Sequence, residues 1–403
     1  MDSKVVWIIN QYGGSRLHGM TFRSYYLAKE FVKKHKVYLF SASYSHVMST
    51  PPEISGNLTQ EDIDGIIYAW LKVAKYKGSK SIGRIWSMFM FLFRLFTIKI
   101  SDFQKPDVII VSSISPFPVI KAFFWARKYD AKLIFEVRDI WPLSIIELGG
   151  FSRFHPFIIL LQYVENFAYR VSDYVVSVLP KSLDHMQHHG LSKDRFVHIP
   201  NGIDIGAQKD ALNETIVEKI PKDKFIIAYA GAIGIANSVI SLLEAATILK
   251  NHSEIAYVIV GDGDQKEKIK EKVNLESLVN VHIIKPIEKT QVHSLLQKVD
   301  ACFIGLQNQP LFKFGISPNK MFDYLYSGKP IIQAINAGND LVKESGAGIS
   351  VEPENPQKIA DAILQLYHMS DLERNKMGKN GRKYVEKYHS YEKLAASYEQ
   401  LFN

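Results

Sequence analysis

Cysteine is almost missing from this 403-residue chain: Cys302 is the only one. A single thiol excludes a disulfide framework and a cysteine-built zinc site, and it suits a reducing compartment. Long apolar runs are missing too. No stretch reaches the roughly 18 apolar residues that a spanning helix needs. The N-terminus, MDSKVVWIINQYGG, enters a strand pattern at once. It has neither the long apolar core nor the small-residue cleavage site of a signal peptide. The histidines show no HExxH spacing, and neither a GxSxG elbow nor a GxxxxGK[ST] loop occurs. These absences argue against a zinc hydrolase, an α/β-hydrolase and a P-loop nucleotidase. No helix-turn-helix, zinc-finger or RNP pattern appears either, so nucleic acid is not an expected partner. The expectation is a cytoplasmic protein, soluble or peripheral to a membrane.

Acidic residues are also missing from one long interval. Residues 65–101 hold Lys72, Lys75, Lys77, Lys80, Arg84, Arg94 and Lys99 and no Asp or Glu. The same interval carries Trp86, Phe89, Phe91, Phe93 and Phe96. The formal net charge is +8, and the first half supplies it: residues 1–200 contain 25 Lys and Arg against 16 Asp and Glu. A basic, aromatic segment of this kind suits an anionic membrane surface, lying in the interface rather than spanning it. The alternative is a core helix with a solvated basic flank.

What is present in quantity is alternation. Short apolar runs such as VVWIIN (5–10), KVYLFSA (36–42), GIIYAWL (65–71), DVIIVSS (107–113), KLIFEV (132–137) and DYVVSV (173–178) read as strands, with helical periodicity between most of them. The second half repeats the pattern in FIIAYAG (225–231), AYVIVGDG (256–263), VHIIKP (281–286), ACFIGL (301–306), PIIQAI (330–335) and GISV (348–351). Apolar strands alternating with helices indicate parallel sheets covered on both faces. The turn cluster Pro200-Asn201-Gly202 marks a boundary. The sequence therefore predicts an α/β protein of two doubly wound, Rossmann-like domains facing a cleft: 1–195, 196–380, and a C-terminal segment, 381–403, returning to the first.

Ligands of such sheets bind beyond the carboxyl ends of the strands. The turn after 225–231 carries Gly231 and Gly234 ahead of a helix near Ser238, where the backbone could meet an anion; a plain tight turn is the alternative. In KFGISPNKMFDYLYSGKP (313–330), Ser317 suits an N-cap and Pro318 the first helical position. Lys320 then sits at the positive end of that helix, an unfavourable place that a bound phosphate would relieve. Asp323 shares its face and could accept from a sugar diol. Arg138 and Asp139 stand at the end of the strand 132–137, as a buried-edge ion pair or as cleft residues. The GDGD run at 261–264 reads as a turn, and no metal site is expected.

In order along the chain, NQYGG with Gly19 and Arg23, EVRDIWP, HIPNGID, YAGAIG, VGDGDQKEKI and GISPNKMFDYLYSGKPII resemble the motifs of retaining, nucleotide-sugar-dependent glycosyltransferases of GT-B fold. The likeness is to the family-four type and its fucosamine-transferase-like branch, which builds bacterial O-antigen and capsule. The resemblance implies transfer, with retention, from a nucleotide-diphosphate sugar, UDP-linked, to a saccharide acceptor, which a polyprenyl diphosphate could carry at the inner face of the plasma membrane. It implies no cofactor and no obligatory metal. Gly231 and Gly234 would line the donor pyrophosphate, Lys320 would neutralise it, and Asp323 would bind the ribose. Pro286 and Ile287 would meet the base. Arg138 and Asp139 fall on the family's catalytic strand-end region, and Gly13, Gly14, Gly19 and Arg23 on its acceptor-side loop. Three departures from the family's pattern involve four positions: Gly315 replaces its first Glu, Ala232 and Asn237 its Arg and Lys, and Arg138 its first-domain His. These departures keep open the reading of a catalytically silent binding subunit; a nucleotide-sugar epimerase is the other alternative, but the several cleft carboxylates and His groups it would need are not found at the expected turns.

Overall fold

Most strands form where a short run of β-branched and aromatic residues is bounded by turn residues, because such side chains pack well on a pleated surface covered from both sides. The computed structural model describes residues 2–19, 22–78 and 81–403. It divides the chain into two compact units, Met1–Pro200 with Tyr391–Asn403, and Asn201–Ser390.

The first unit contains β1 Val5–Ile9, β2 Lys36–Ala42, β3 Leu58–Ile63, β4 Ile66–Leu71, β5 Val108–Ser112, β6 Lys132–Val137, β7 Tyr174–Ser177 and β8 Phe196–His198. They form one sheet in the order β3-β4-β2-β1-β5-β6-β7-β8. Every neighbouring pair is parallel except β3 with β4. The helices that concern the later argument are α1 Arg23–Phe31, α2 Ile82–Thr97, α3 Pro118–Tyr129, α4 Leu143–Gly149 and α5 Pro156–Val171. The predicted helical run from Thr21 is helix from Arg23; Thr21 itself lies outside the described residues. The sequence pattern did not disclose β3 or β8. β3, LTQEDI, is an edge strand and needs no apolar run. Its turn was readable, however: Asp64 and Gly65 have φ of 55° and 81°, the pair of positive values that a two-residue Asp-Gly hairpin requires.

The second unit contains β9 Phe225–Ala230, β10 Ile255–Val260, β11 Val281–Ile284, β12 Ala301–Gly305, β13 Ile331–Ala334 and β14 Gly348–Val351, all parallel, in the order β11-β10-β9-β12-β13-β14. Alternate residues serve opposite faces. Ala228, Val258 and Ile304 enter one core, and Ile227, Tyr257 and Phe303 the other. In each unit the strand order reverses beside the first strand, which places a crevice at the carboxyl ends of β1 and β5 and of β9 and β12.

Two boundaries differ from the expected ones. The division falls after Pro200 rather than 195, because β8 pairs with β7 and completes the first sheet. The returning segment begins at Tyr391 rather than 381. The helix Asp371–Tyr388 packs within the second unit so closely that a Cβ on Gly378 would lie 1.7 Å from the Gly328 carbonyl oxygen. Tyr391, Leu394 and Tyr398 of the C-terminal helix, Tyr391–Glu399, share a core with Val6, Ile8 and Phe31. Among the described residues no helix is long and apolar enough to cross a membrane.

One buried ion pair ties these pieces together. The Arg23 Nε donates to Glu136 Oε2 at 2.7 Å, with both side chains almost fully buried. The remaining guanidinium nitrogens donate to the carbonyls of Pro200 at 2.5 Å and Ile199 at 3.0 Å. Glu136 also accepts from Ser112 Oγ at 2.6 Å and from the Tyr398 hydroxyl. Burial alone would raise its carboxyl, but Arg23, Arg138 and these donors outweigh it and hold the group at about 2. Glu136→Ala is expected to lower stability by about 3–5 kcal/mol in urea unfolding, because Arg23 would stay buried without its counter-charge. The ionised pair's contribution is complete above the ordinary carboxyl value of 4.5 and is lost as pH falls towards about 2. The stability gap between wild type and variant should therefore narrow as pH falls from 4.5 towards about 2.

Candidate functional site

β9 ends at Ala230, and the chain turns sharply at Gly231, whose φ of 156° favours glycine. A Cβ on Gly261, at the end of β10, would stand 1.9 Å from the Gly231 carbonyl oxygen. That approach requires Gly261 to lack a side chain. A Cβ on Gly231 would in turn meet the Lys320 Cε and Nζ at 3.0 Å, so the lysine lies directly against this turn.

Lys320 is the second residue of the helix Asn319–Ser327. Its Nζ donates to the Tyr229 hydroxyl at 2.7 Å and to Asn237 Oδ1 at 2.6 Å, and it stands 4.5 Å from the centre of the Tyr229 ring. Burial pushes its ammonium down to about 7. Among the described residues no carboxylate pairs with this buried ammonium, and the helix dipole and the backbone N–H groups around it also attract negative charge. The arrangement suits a diphosphate.

Gly231, Pro286, Ile287, Lys320 and Asp323 line one cavity of about 380 Å³. Five of the seven expected donor residues are thus brought together. The other two are not. Gly234 borders a separate recess of about 130 Å³ with Ser238 and Gln307. The Ser317 hydroxyl accepts from the Asn201 N–H at 2.8 Å, pinning the PNGID segment, while Pro318 takes the N-cap position without a side-chain cap. Sequence reasoning missed Lys289, whose Nζ lies 2.5 Å from each Asp323 carboxylate oxygen. A ribose reaching Asp323 would compete with that ammonium. It also missed Tyr229 and gave Asn237 no role. Asn237, one of the residues that depart from the expected pattern, accepts here from the ammonium of Lys320.

In the first unit the glycine loop is tied to its own sheet. The Gly13 carbonyl accepts from Ser41 Oγ and the Gly14 carbonyl from the Tyr68 hydroxyl, each at 2.7 Å. Gly19 has a φ of 76° and bridges Ser15 and Met48. Arg23 does not belong with this loop. It opens α1, and its guanidinium is committed to Glu136 and to backbone carbonyls.

Arg138 and Asp139 follow β6. The Arg138 N–H donates to Ser113 Oγ at 3.2 Å, and Asp139 accepts from Ser144 Oγ at 2.9 Å. Burial raises the Asp139 carboxyl, and hydrogen bonds from Ser144 and from neighbours only partly oppose it. Near it, burial lifts Glu165 of α5 to about 8, although Tyr169 and Gln162 donate to it. Arg84 was grouped with the basic segment, but its Nε donates to the Tyr12 hydroxyl at 3.0 Å and its guanidinium faces the rings of Tyr12 and Trp141. This second cluster, of aromatic rings, a guanidinium and a raised carboxyl, stands at the carboxyl ends of β1 and β6. It suits a polar, ring-shaped ligand. Among the described residues no group of three or more His, Cys, Asp or Glu is placed to hold a metal ion.

Comparison with known proteins covers both units. Residues 18–206 match Glycosyltransferase Family 4, and residues 212–384 match Glycosyl transferases group 1. A protein of Escherichia coli strain K12 named as a colanic acid biosynthesis glycosyl transferase, WcaI, is 23% identical over 274 residues. The match spans 65% of this chain and 66% of that relative. The fold is similar to sucrose-phosphate synthase from Thermosynechococcus elongatus (TM-score 0.76, 15% identity, 99% of this chain and 98% of that one). It is also similar to HepE of Anabaena in complex with UDP-glucose (0.68, 13%, 98% of each). WaaG, a glycosyltransferase involved in lipopolysaccharide biosynthesis, matches at 0.67 with 12% identity over 98% of this chain and 99% of its own.

Lys320→Ala is expected to weaken binding of a nucleoside diphosphate by about ten- to a hundredfold, the worth of a charge-assisted hydrogen bond of roughly 1.5–3 kcal/mol. Because the free lysine titrates at about 7 and a diphosphate favours its charged form, binding at about pH 8 should take up a proton. Calorimetry in buffers of different ionisation enthalpy measures that proton. Its persistence in Lys320→Ala would assign it to another group.

Proposed function

We propose that this chain, a glycosyltransferase of GT-B type, moves a sugar from a UDP-linked donor to a saccharide acceptor with retention, in the synthesis of a bacterial surface polysaccharide. The observation that carries the reading is the cavity at the strand ends of the second unit, with Lys320 against Gly231 and Asp323 beside Pro286 and Ile287. The chain likenesses to WcaI and WaaG favour polysaccharide assembly, and the HepE complex favours a UDP-sugar. A fucosamine-transferase-like specificity is the narrower form of the same reading.

In this reading the diphosphate lies against the Gly231 turn and takes its counter-charge from Lys320, with no obligatory metal. Asp323 releases Lys289 and accepts from the ribose hydroxyls, and the base meets the backbone at Pro286 and Ile287. The acceptor sugar stacks at the cluster beside Arg138 and Asp139. Its hydroxyl attacks the anomeric carbon from the side of the leaving diphosphate, whose oxygen takes the proton. The enzyme positions the partners and stabilises the charge that develops on the diphosphate. The acceptor is carried by a polyprenyl diphosphate, so the protein works peripherally at an anionic cytoplasmic leaflet.

Release of nucleotide from a panel of nucleotide sugars, with and without lipid-linked acceptors, tests the activity. Conversion of the sugar without any acceptor would identify an epimerase instead. NMR of the product linkage should show the donor's anomeric configuration, and an inverted linkage would reject front-face transfer. Asp323→Ala should weaken UDP binding by about tenfold, through loss of a hydrogen bond to a charged group. Equal UDP affinity in calorimetry would remove Asp323 from the ribose.

A further inference from the structure

α2 is apolar almost all round, the composition of a helix covered on every side. Only half of it is covered. Ser87, Met88, Phe91 and Leu95 face the core, while Ile82, Trp86, Phe93 and Phe96 are exposed, Trp86 and Phe93 by 60% each. Successive spacings of four, seven and three residues put these four on one stripe of the helix.

A second stripe lies on α5, where Leu161, Val164 and Ala168 are buried and Ile159, Leu160 and Tyr163 are exposed. The two stripes belong to one surface. Phe89 of α2 packs on Phe117 at 5.0 Å between ring centres, and Phe117 packs on Phe157 of α5 at 6.3 Å. α3 lies between them, bound to α5 through Phe123 and Phe167 at 5.4 Å, and it exposes Phe124. The turn from α4 to α5 adds Phe151 and Phe154, the latter 79% exposed. An exposed apolar surface built from several elements marks an interaction site.

The charge of this surface selects its occupant. Apart from Arg84, which turns to Tyr12 and Trp141, α2 and α3 carry Arg94, Lys121, Arg127 and Lys128 and no acid. Arg153 sits between Phe151 and Phe154, and the acids of α4 and α5 are Glu147 and the buried Glu165. Tryptophan, tyrosine and phenylalanine flanked by cations match the boundary between acyl chains and anionic headgroups.

We propose that the joint face of α2, α3 and α5, with the Phe151–Phe154 turn, seats the protein on an anionic lipid bilayer. The inference rests on the reading of a membrane-borne acceptor. It goes beyond that reading by placing the contact on α5 and the turn before it, far along the chain from Lys72, Lys75 and Lys77; Lys80, expected to join those three, lies outside the described residues.

The test is co-sedimentation of the full chain with vesicles of phosphatidylglycerol and phosphatidylcholine, against phosphatidylcholine alone. The wild type should bind the anionic vesicles, less so in high salt. The variant Phe154→Ser/Ile159→Ser/Tyr163→Ser should lose binding by at least about tenfold, with unchanged melting temperature and UDP affinity. Lys72→Glu/Lys75→Glu/Lys77→Glu should bind more strongly than that variant. In Phe154→Trp, added fluorescence should be quenched by brominated acyl chains. A wild type that binds beside a triple variant that binds equally well would overturn this face and leave the membrane reading standing. A wild type that binds no anionic vesicle would remove both. Dimerisation abolished by the triple variant, without vesicle binding, would assign the face to a second copy of the chain.

Discussion

The carboxylate of Glu136 is the point on which the first unit depends. It sits on β6, an interior strand between β5 and β7, and receives Arg23 from α1, Ser112 from β5 and Tyr398 from the C-terminal helix. Through Arg23 it also reaches the Ile199 and Pro200 carbonyls, the last residues before the chain leaves the unit. One buried charge pair thereby fixes where the unit ends, why the chain returns to it at Tyr391, and how β6 is held two residues before Arg138. A buried pair gains little over apolar packing, but removing one partner is costly, so such a pair enforces one arrangement of the elements around it.

The second unit is organised around the opposite condition, a cation without an anion. Lys320 is kept close to the Gly231 turn by Tyr229 and Asn237, two neutral acceptors that cannot offset the loss of water around its charge. Asp323, on the same helix, has the reverse arrangement and is paired with Lys289. A nucleoside diphosphate would satisfy Lys320 with its phosphates and displace Lys289 with its ribose. The preformed turn costs no reorganisation, because Gly261 already allows the Gly231 carbonyl to lie against the end of β10, and Gly231 leaves room for Lys320 beside it.

The first unit carries the basic excess and also the exposed aromatic residues of α2, α3 and α5. Charge and apolar exposure therefore coincide on the unit that carries the expected acceptor loops. In the second unit Lys, Arg, Asp and Glu nearly balance.

The architecture was largely legible in the sequence. Eleven of the fourteen strands among the described residues stand in it as bounded apolar runs flanked by helical periodicity, and a twelfth, GIIYAWL, differs only in its pairing with an edge strand. Strands buried on both faces must be continuously apolar, so composition alone reveals them. β3 and β8 escaped because edge strands carry no such requirement. Lys320 and Asp323 were readable because a helix start, a misplaced positive charge and a helical turn are local facts. Arg23, Ser317 and Gly234 were assigned by sequence neighbourhood and are used elsewhere. Their partners, Glu136 for Arg23 and Asn201 for Ser317, lie more than a hundred residues away, and only the folded chain brings them within hydrogen-bond distance. The pairing of Asp323 with Lys289 and the joining of the stripes on α2 and α5 have the same origin. Periodicity along the chain determines which face a residue takes, and packing between distant segments determines what that face meets.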